Sequence, residues 1–120
     1  MKRIIIVDNE PDLEYLFSKK FRKEIKSGSL KFIFFISAIE VLSYLDSQEN
    51  DSIDLIISDI NLPTINGLEM LKKIKEKYKT IKVFMLTAHG YDEHYKIAKE
   101  YGTDDYLVKP INFFKINWFD

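Results

Sequence analysis

Apolar positions along this chain follow two periods in turn: contiguous β-branched runs, and stripes with residues three and four apart. Ile4-Ile5-Ile6-Val7 is a short continuous run, which predicts a strand buried on both faces. Pro11, tolerated in the first turn of a helix, comes next, and Leu13, Leu16, Phe17, Phe21 and Ile25 recur at helical spacing. Ser27-Gly28-Ser29 ends that stripe, and the aromatic and β-branched stretch Leu30 to Ile36 predicts a second strand. Ser37-Ala38-Ile39-Glu40 reads as a capping box opening a helix with Val41, Leu42 and Leu45 on its buried side. Asp51-Ser52 turns the chain into Leu55-Ile56-Ile57, the third strand. Pro63, Asn66 and Gly67 punctuate a loop before the helical stripe Leu68, Leu71, Ile74 and Tyr78. Val83-Phe84-Met85-Leu86 predicts a fourth strand, Tyr91 to Tyr101 a fourth helix ending at Gly102, and Tyr106-Leu107-Val108 a fifth strand.

Strand and helix therefore alternate with short connections. Right-handed crossovers then give an α/β architecture of three layers, a parallel sheet covered on both faces, within one domain spanning residues 1–120. Composition agrees, since 46% hydrophobic and 31% charged residues exclude a disordered or low-complexity chain. Eighteen Lys and Arg balance 19 Asp and Glu, so no global field favours nucleic acid or an anionic membrane. The absence of Cys excludes disulfide frameworks, thiolate metal sites and cysteine nucleophiles. No apolar run approaches the length of a membrane span or a signal peptide, which leads us to expect a cytoplasmic protein.

Chemistry concentrates where the strands end. Asp8, Asn9 and Glu10 follow the first strand, Asp59 closes the third, Thr87-Ala88 the fourth and Lys109-Pro110 the fifth. In open parallel sheets the ligand site lies at the carboxyl ends of the strands, where chain order reverses. If the first strand neighbours the third, Asp8 and Asp59 converge there. Clustered carboxylates need a cation, and oxygen donors without His or Cys suit Mg²⁺. A carboxylate beside Mg²⁺ is a competent nucleophile toward a phosphoryl group, with Lys⁺ and a Thr hydroxyl available to its oxygens.

The segment Asp59-Ile60-Asn61-Leu62-Pro63-Thr64-Ile65-Asn66-Gly67 resembles the phosphoacceptor loop of response-regulator receiver domains. The acidic cluster after the first strand, Thr87-Ala88 and Tyr106-Leu107-Val108-Lys109-Pro110 fit the same family in order and spacing. The resemblance implies a doubly wound, flavodoxin-like sheet of strand order 2-1-3-4-5. It implies that Asp59 accepts a phosphoryl group from a histidine kinase or phosphotransfer protein. Asp8, Asn9, Asp59 and the backbone carbonyl of Asn61 would hold Mg²⁺. Lys109, through a cis peptide to Pro110, would contact the phosphoryl group. Thr87 and Tyr106 would form the switch pair that remodels the surface of the fourth helix and fifth strand, which an output domain or partner protein reads. Nothing in the resemblance makes this domain itself a nucleic-acid or membrane binder, and its only catalysis would be of its own phosphorylation and dephosphorylation.

Two departures stand out. Asn9 occupies a position where the family usually has Asp, so the ion loses a charge, and Glu10 is the neighbouring carboxylate that would compensate. After Lys109-Pro110-Ile111 only residues 112–120 remain, with Phe113, Phe114, Ile116, Trp118 and Phe119 among them. Either the last helix is shortened or the chain is a piece of a longer protein. Asn9 also keeps open an alternative function, a phosphorylation-independent pseudo-receiver that acts as a protein-binding module. A flavodoxin-like or phosphatase-like enzyme would need a phosphate-cradling loop after the first strand, and none is present. His89 lies two residues past Thr87, where family members tune the access of water. His89 and His94 are otherwise read as solvated, and Lys72, Lys73, Lys75, Lys77 and Lys79 as an exposed helix face.

Overall fold

The computed structural model describes residues 1–47, 53–88, 90 and 92–113. Five strands, β1 (Lys2–Val7), β2 (Leu30–Phe35), β3 (Leu55–Asp59), β4 (Lys82–Thr87) and β5 (Asp105–Val108), form one parallel sheet of order β2-β1-β3-β4-β5. The order that the family resemblance implies is the one observed. Among the described residues, five helices connect or flank the strands: α1 (Asp12–Lys20), α2 (Arg22–Ser27), α3 (Ala38–Ser47), α4 (Gly67–Lys77) and α5 (Glu93–Glu100).

The sheet divides the core in two. Alternate residues point to opposite faces, so Ile4, Ile6, Leu55, Ile57, Phe84 and Leu86 pack against α1. Ile5, Val7, Ile56, Val83 and Met85 pack against α3, α4 and α5. On the α1 side Phe17 stacks with Phe21 and meets Phe32 and Phe113 edge-on, at ring separations of 6.2, 5.6 and 5.2 Å. Edge-to-face pairs of this kind add about 0.5–1.5 kcal/mol beyond the area they bury. They join α1, β2 and the segment after β5.

The single helical stripe expected over Leu13 to Ile25 is in fact two helices. Phe21, at φ −108° and ψ 29°, breaks the run while its own ring stays buried. The aromatic cluster holds that ring in place, and the chain turns around it. Beyond the break Ile25 is exposed and α2 has no buried residue, while Leu16, within α1, is exposed as well. Gly28, at φ 83°, closes α2, with Ser29 N–H donating to the Glu24 carbonyl and Gly28 N–H to that of Ile25. Gly102, at φ 91°, repeats the arrangement after α5.

The capping box opening α3 is present in modified form. Ser37 Oγ accepts from Glu40 N–H, while the Glu40 carboxylate takes the Ser37 hydroxyl and Ile36 N–H. Leu42 is only half-buried, and Ile36, expected at the end of the second strand, is exposed and outside β2. The lysines of α4 are less uniform than expected. Lys75 is half-buried and donates to the Ile81 carbonyl and Asp104, while Lys77 pairs with Asp46 and Lys72 lies over the Tyr101 ring. The Asp51-Ser52 turn, Tyr91 and the tail from Phe114 onward, with its expected shortened helix, lie outside the described residues. Phe113 does pack onto the sheet, as its apolar character requires.

Candidate functional site

Parallel pairing of β1 with β3 sets Val7 against Ser58, so the next residues, Asp8 and Asp59, leave the sheet side by side. Both are about 6% exposed. Each carboxylate splits its two oxygens between the same two tasks. Asp8 Oδ1 accepts from Glu10 N–H at 2.9 Å, and Asp59 Oδ1 from Asn61 N–H at 3.0 Å, so each acid caps the turn it begins. The other oxygen of each faces Lys109, whose Nζ donates to Asp59 Oδ2 at 2.7 Å and to Asp8 Oδ2 at 3.3 Å. Sequence positions 50 and 101 residues apart thus meet in one ion triad.

Lys109 reaches the triad because its backbone N–H donates to the Thr87 carbonyl at 2.7 Å, extending the β4–β5 ladder by one residue. The Lys109–Pro110 peptide is cis, as the resemblance implied. Burial pulls the Lys109 ammonium toward deprotonation, but the bond to Asp59 and the charges of Asp59 and Asp8 outweigh it, leaving its pKa above the ordinary lysine value.

Thr87 follows Leu86, the β4 partner of Asp59, and is 1% exposed. Strand alternation puts it on the face of Val83 and Met85, and the register Met85↔Tyr106 puts Tyr106 on that face too. Tyr106 is buried, its ring edge-on to Tyr95 of α5 at 5.1 Å. Asn9, Glu10 and Asn61 are exposed on the loops around the triad. His89 lies outside the described residues, while His94, on α5, is half-buried.

The donor set suits a divalent cation of the Mg²⁺ type. Two adjacent carboxylates carry more negative charge than one ammonium offsets, and each oxygen keeps a lone pair beyond its single hydrogen bond. Mg²⁺ takes one or two carboxylates and retains waters, so it needs no protein cage. Among the described residues there is no group of three or more His, Cys, Asp and Glu arranged to hold a metal.

Three features went unread in the sequence. Gly67 is the first residue of α4, and a Cβ there would fall 2.2 Å from the Asp59 carbonyl oxygen. Its N–H donates to the Ile60 carbonyl at 2.8 Å, pinning α4 against the end of β3. Asn66 is the N-cap, its side chain accepting from Glu69 N–H at 2.9 Å. The Asn-Gly pair had signalled only a turn. Ser58, fully buried, turns its hydroxyl onto the Asp59 carbonyl at 2.9 Å.

A doubly wound sheet with a carboxylate–lysine triad at its switch point defines the class of site. The sequence profile of the response regulator receiver domain matches residues 4–117, and the chain belongs to this family. Its members are the receiver domains of two-component systems and serve phosphorelay signalling. The transcriptional regulatory protein CpxR of Escherichia coli is 34% identical over 93% of this chain and 44% of its own length. The DNA-binding transcriptional regulator NtrC of Proteus hauseri is 34% identical over 89% of the chain and 21% of its own length. The chain thus spans less than half the length of these curated relatives. Among solved structures, the BeF3-activated DrrB receiver domain superposes with a TM-score of 0.77 at 27% identity, over 93% of this chain and 87% of that one. The response regulator TrrA of Thermotoga maritima, solved in complex with Mg²⁺-BeF, gives 0.74 at 33% identity, over 94% and 90%.

Proposed function

We propose that this chain is a phosphorylation-driven switch in which Asp59 accepts a phosphoryl group from the phosphohistidine of a histidine kinase or phosphotransfer protein. The observation that carries the reading is the triad: Asp59 Oδ2 lies 2.7 Å from an ammonium that also holds Asp8. An Asp59 oxygen attacks phosphorus, the P–N bond to the donor imidazole breaks, and its electron pair returns to the ring nitrogen. Lys109 is placed to follow the oxygen it already bonds and to neutralise charge arriving on the phosphoryl group. Thr87, beside Asp59 on the neighbouring strand, offers a hydroxyl to that group. Its displacement would be felt by Tyr106, which shares its face, and so by α5 and β5. Asp8, Asn9, Asp59 and the Asn61 carbonyl would hold Mg²⁺, which when bound supplies further positive charge at the phosphoryl oxygens.

The length of the curated relatives supports a domain that works within a larger protein, with a linked or separate output responding to the switch. We place that protein in the cytoplasm, consistent with the finding that no helix among the described residues is long and apolar enough to cross a membrane. Incubation with acetyl phosphate and Mg²⁺ followed by intact mass measurement tests the reading. The wild type is expected to gain one phosphoryl group and Asp59→Ala none. No gain in the wild type would instead support the pseudo-receiver, a binding module that the exposed amide of Asn9 favours.

Asn9 also carries a quantitative expectation. Its amide brings an oxygen but no charge, so Asn9→Asp should tighten Mg²⁺ binding by about tenfold, the size of one added charge-assisted contact. Isothermal titration of both proteins decides it, and equal affinities would remove Asn9 from the site.

A further inference from the structure

The near-neutral net charge of the chain hides a segregation. Lys19, Lys20, Arg22, Lys23, Lys26 and Lys31 stand within 13 residues against Glu24 alone, a local charge of +5 that leaves −6 for the rest of the chain. All six cationic residues are exposed. Lys2 joins their corner, since its N–H donates to the Ser29 carbonyl at 2.9 Å and it pairs with Leu30 in the register of β1 and β2. This corner lies at the amino-terminal ends of β1 and β2, whereas Asp8 and Asp59 follow the carboxyl ends of their strands. Six strand residues at 3.3 Å each separate Lys2 from Asp8 by about 20 Å, more than two Debye lengths at physiological salt. The acids of the rim therefore do not cancel the field of the corner.

Stability does not account for α2. It has no buried residue, and Arg22 and Lys23 occupy its first turn, where the helix dipole disfavours cations. Arg22 and Lys26, four apart, and Lys23 and Lys26, three apart, set like charges on one face. A short helix that buries nothing and repels itself gains most from a ligand that supplies negative charge. Five of the six cations are lysine, a point charge suited to phosphate, whereas recognition of carboxylates favours arginine and protein interfaces are depleted in lysine. A bilayer takes up an amphipathic helix by its apolar face, and Ile25, 38% exposed, is the one apolar residue of α2. We propose that this corner binds the phosphodiester backbone of a nucleic acid, without reading its bases. The proposal is independent of the chemistry at Asp59.

The test is fluorescence anisotropy of the full chain with a labelled DNA duplex of about 20 base pairs and arbitrary sequence. Binding is expected with a dissociation constant of roughly 10–100 µM at about 50 mM NaCl. Contacts to about four or five phosphates give a slope of about −4 for the logarithm of affinity against that of salt. Lys23→Glu with Lys26→Glu should weaken binding by about tenfold or more. Lys73→Glu with Lys79→Glu, the same change in net charge on exposed residues in and just after α4, should alter it by less than about threefold. On the unaltered chain, amide-resolved NMR should show duplex-induced shifts at residues 19–31 and Lys2. No binding at about 50 mM NaCl, equal losses from the two pairs, or shifts centred elsewhere would overturn the proposal. So would binding to phosphatidylserine vesicles or to poly-glutamate as tight as binding to the duplex. Each of these readouts is separate from the mass measurement on Asp59.

Discussion

Gly67→Ala is expected to lower stability by about 2–3 kcal/mol and the midpoint of thermal unfolding by about 10 °C. The added methyl would sit 2.2 Å from the Asp59 carbonyl oxygen and 3.0 Å from the Ile60 Cα. Both are main chain, at the end of a fully buried strand, and neither yields without moving β3. Met85 Cε, also at 3.0 Å, is a flexible terminus and gives way at little cost. Urea denaturation should show a lower midpoint with an unchanged slope, since the surface exposed on unfolding is the same. Because the displaced carbonyl belongs to Asp59 itself, the variant should also accept phosphoryl from acetyl phosphate more slowly than its stability loss accounts for. A variant as stable as the wild type would mean that α4 can lift away from β3.

Lys109→Met should be the next most damaging change. It leaves Asp8 and Asp59, each about 6% exposed, facing one another without their shared ammonium. Breaking a fully buried pair costs 3–5 kcal/mol; the Lys109 side chain is 25% exposed, so about 1–3 kcal/mol is expected. Asp59→Asn in the same background should recover most of the loss, and a double-mutant cycle isolates the coupling. The pH dependence has a definite sign. The folded pKa of Lys109 is raised, so its contribution is complete below the unfolded lysine value, about 10.4, and disappears as pH rises through the folded value. The gap between wild type and Lys109→Met should therefore stay constant from neutral pH to about 9 and narrow above 10. A gap that widens in alkali would show that the ammonium is not what holds the carboxylates.

The strands were legible because parallel strands buried on both faces have an unmistakable pattern, and the rim residues because each ends such a run. Asp8, Thr87 and Lys109 are one position beyond apolar blocks and Asp59 two, past Ser58, and pairing of neighbouring strands brings those positions together. What escaped depended on contacts distant in sequence. Phe21 has the spacing of a continuing helix, and only the rings of Phe17, Phe32 and Phe113 around it explain why the chain turns there. Gly67 looked like turn punctuation because its neighbour in space, the Asp59 carbonyl, is eight residues earlier. Lys75 counted as one of five surface lysines until Asp104, 29 residues on, claimed it.

Phe113 has a mechanical consequence for the lysine four residues before it. Its ring is wedged against Phe17 and Phe21, while the Lys109 amide is tied to β4, so the short span between them is tethered at both ends. The main chain that carries the lysine therefore loses little further freedom when the ammonium settles between two acids, because its ordering accompanies the packing of the aromatic rings. The placement of an electrostatic contact is thereby set, in part, by oily side chains 88 and 92 positions away along the chain.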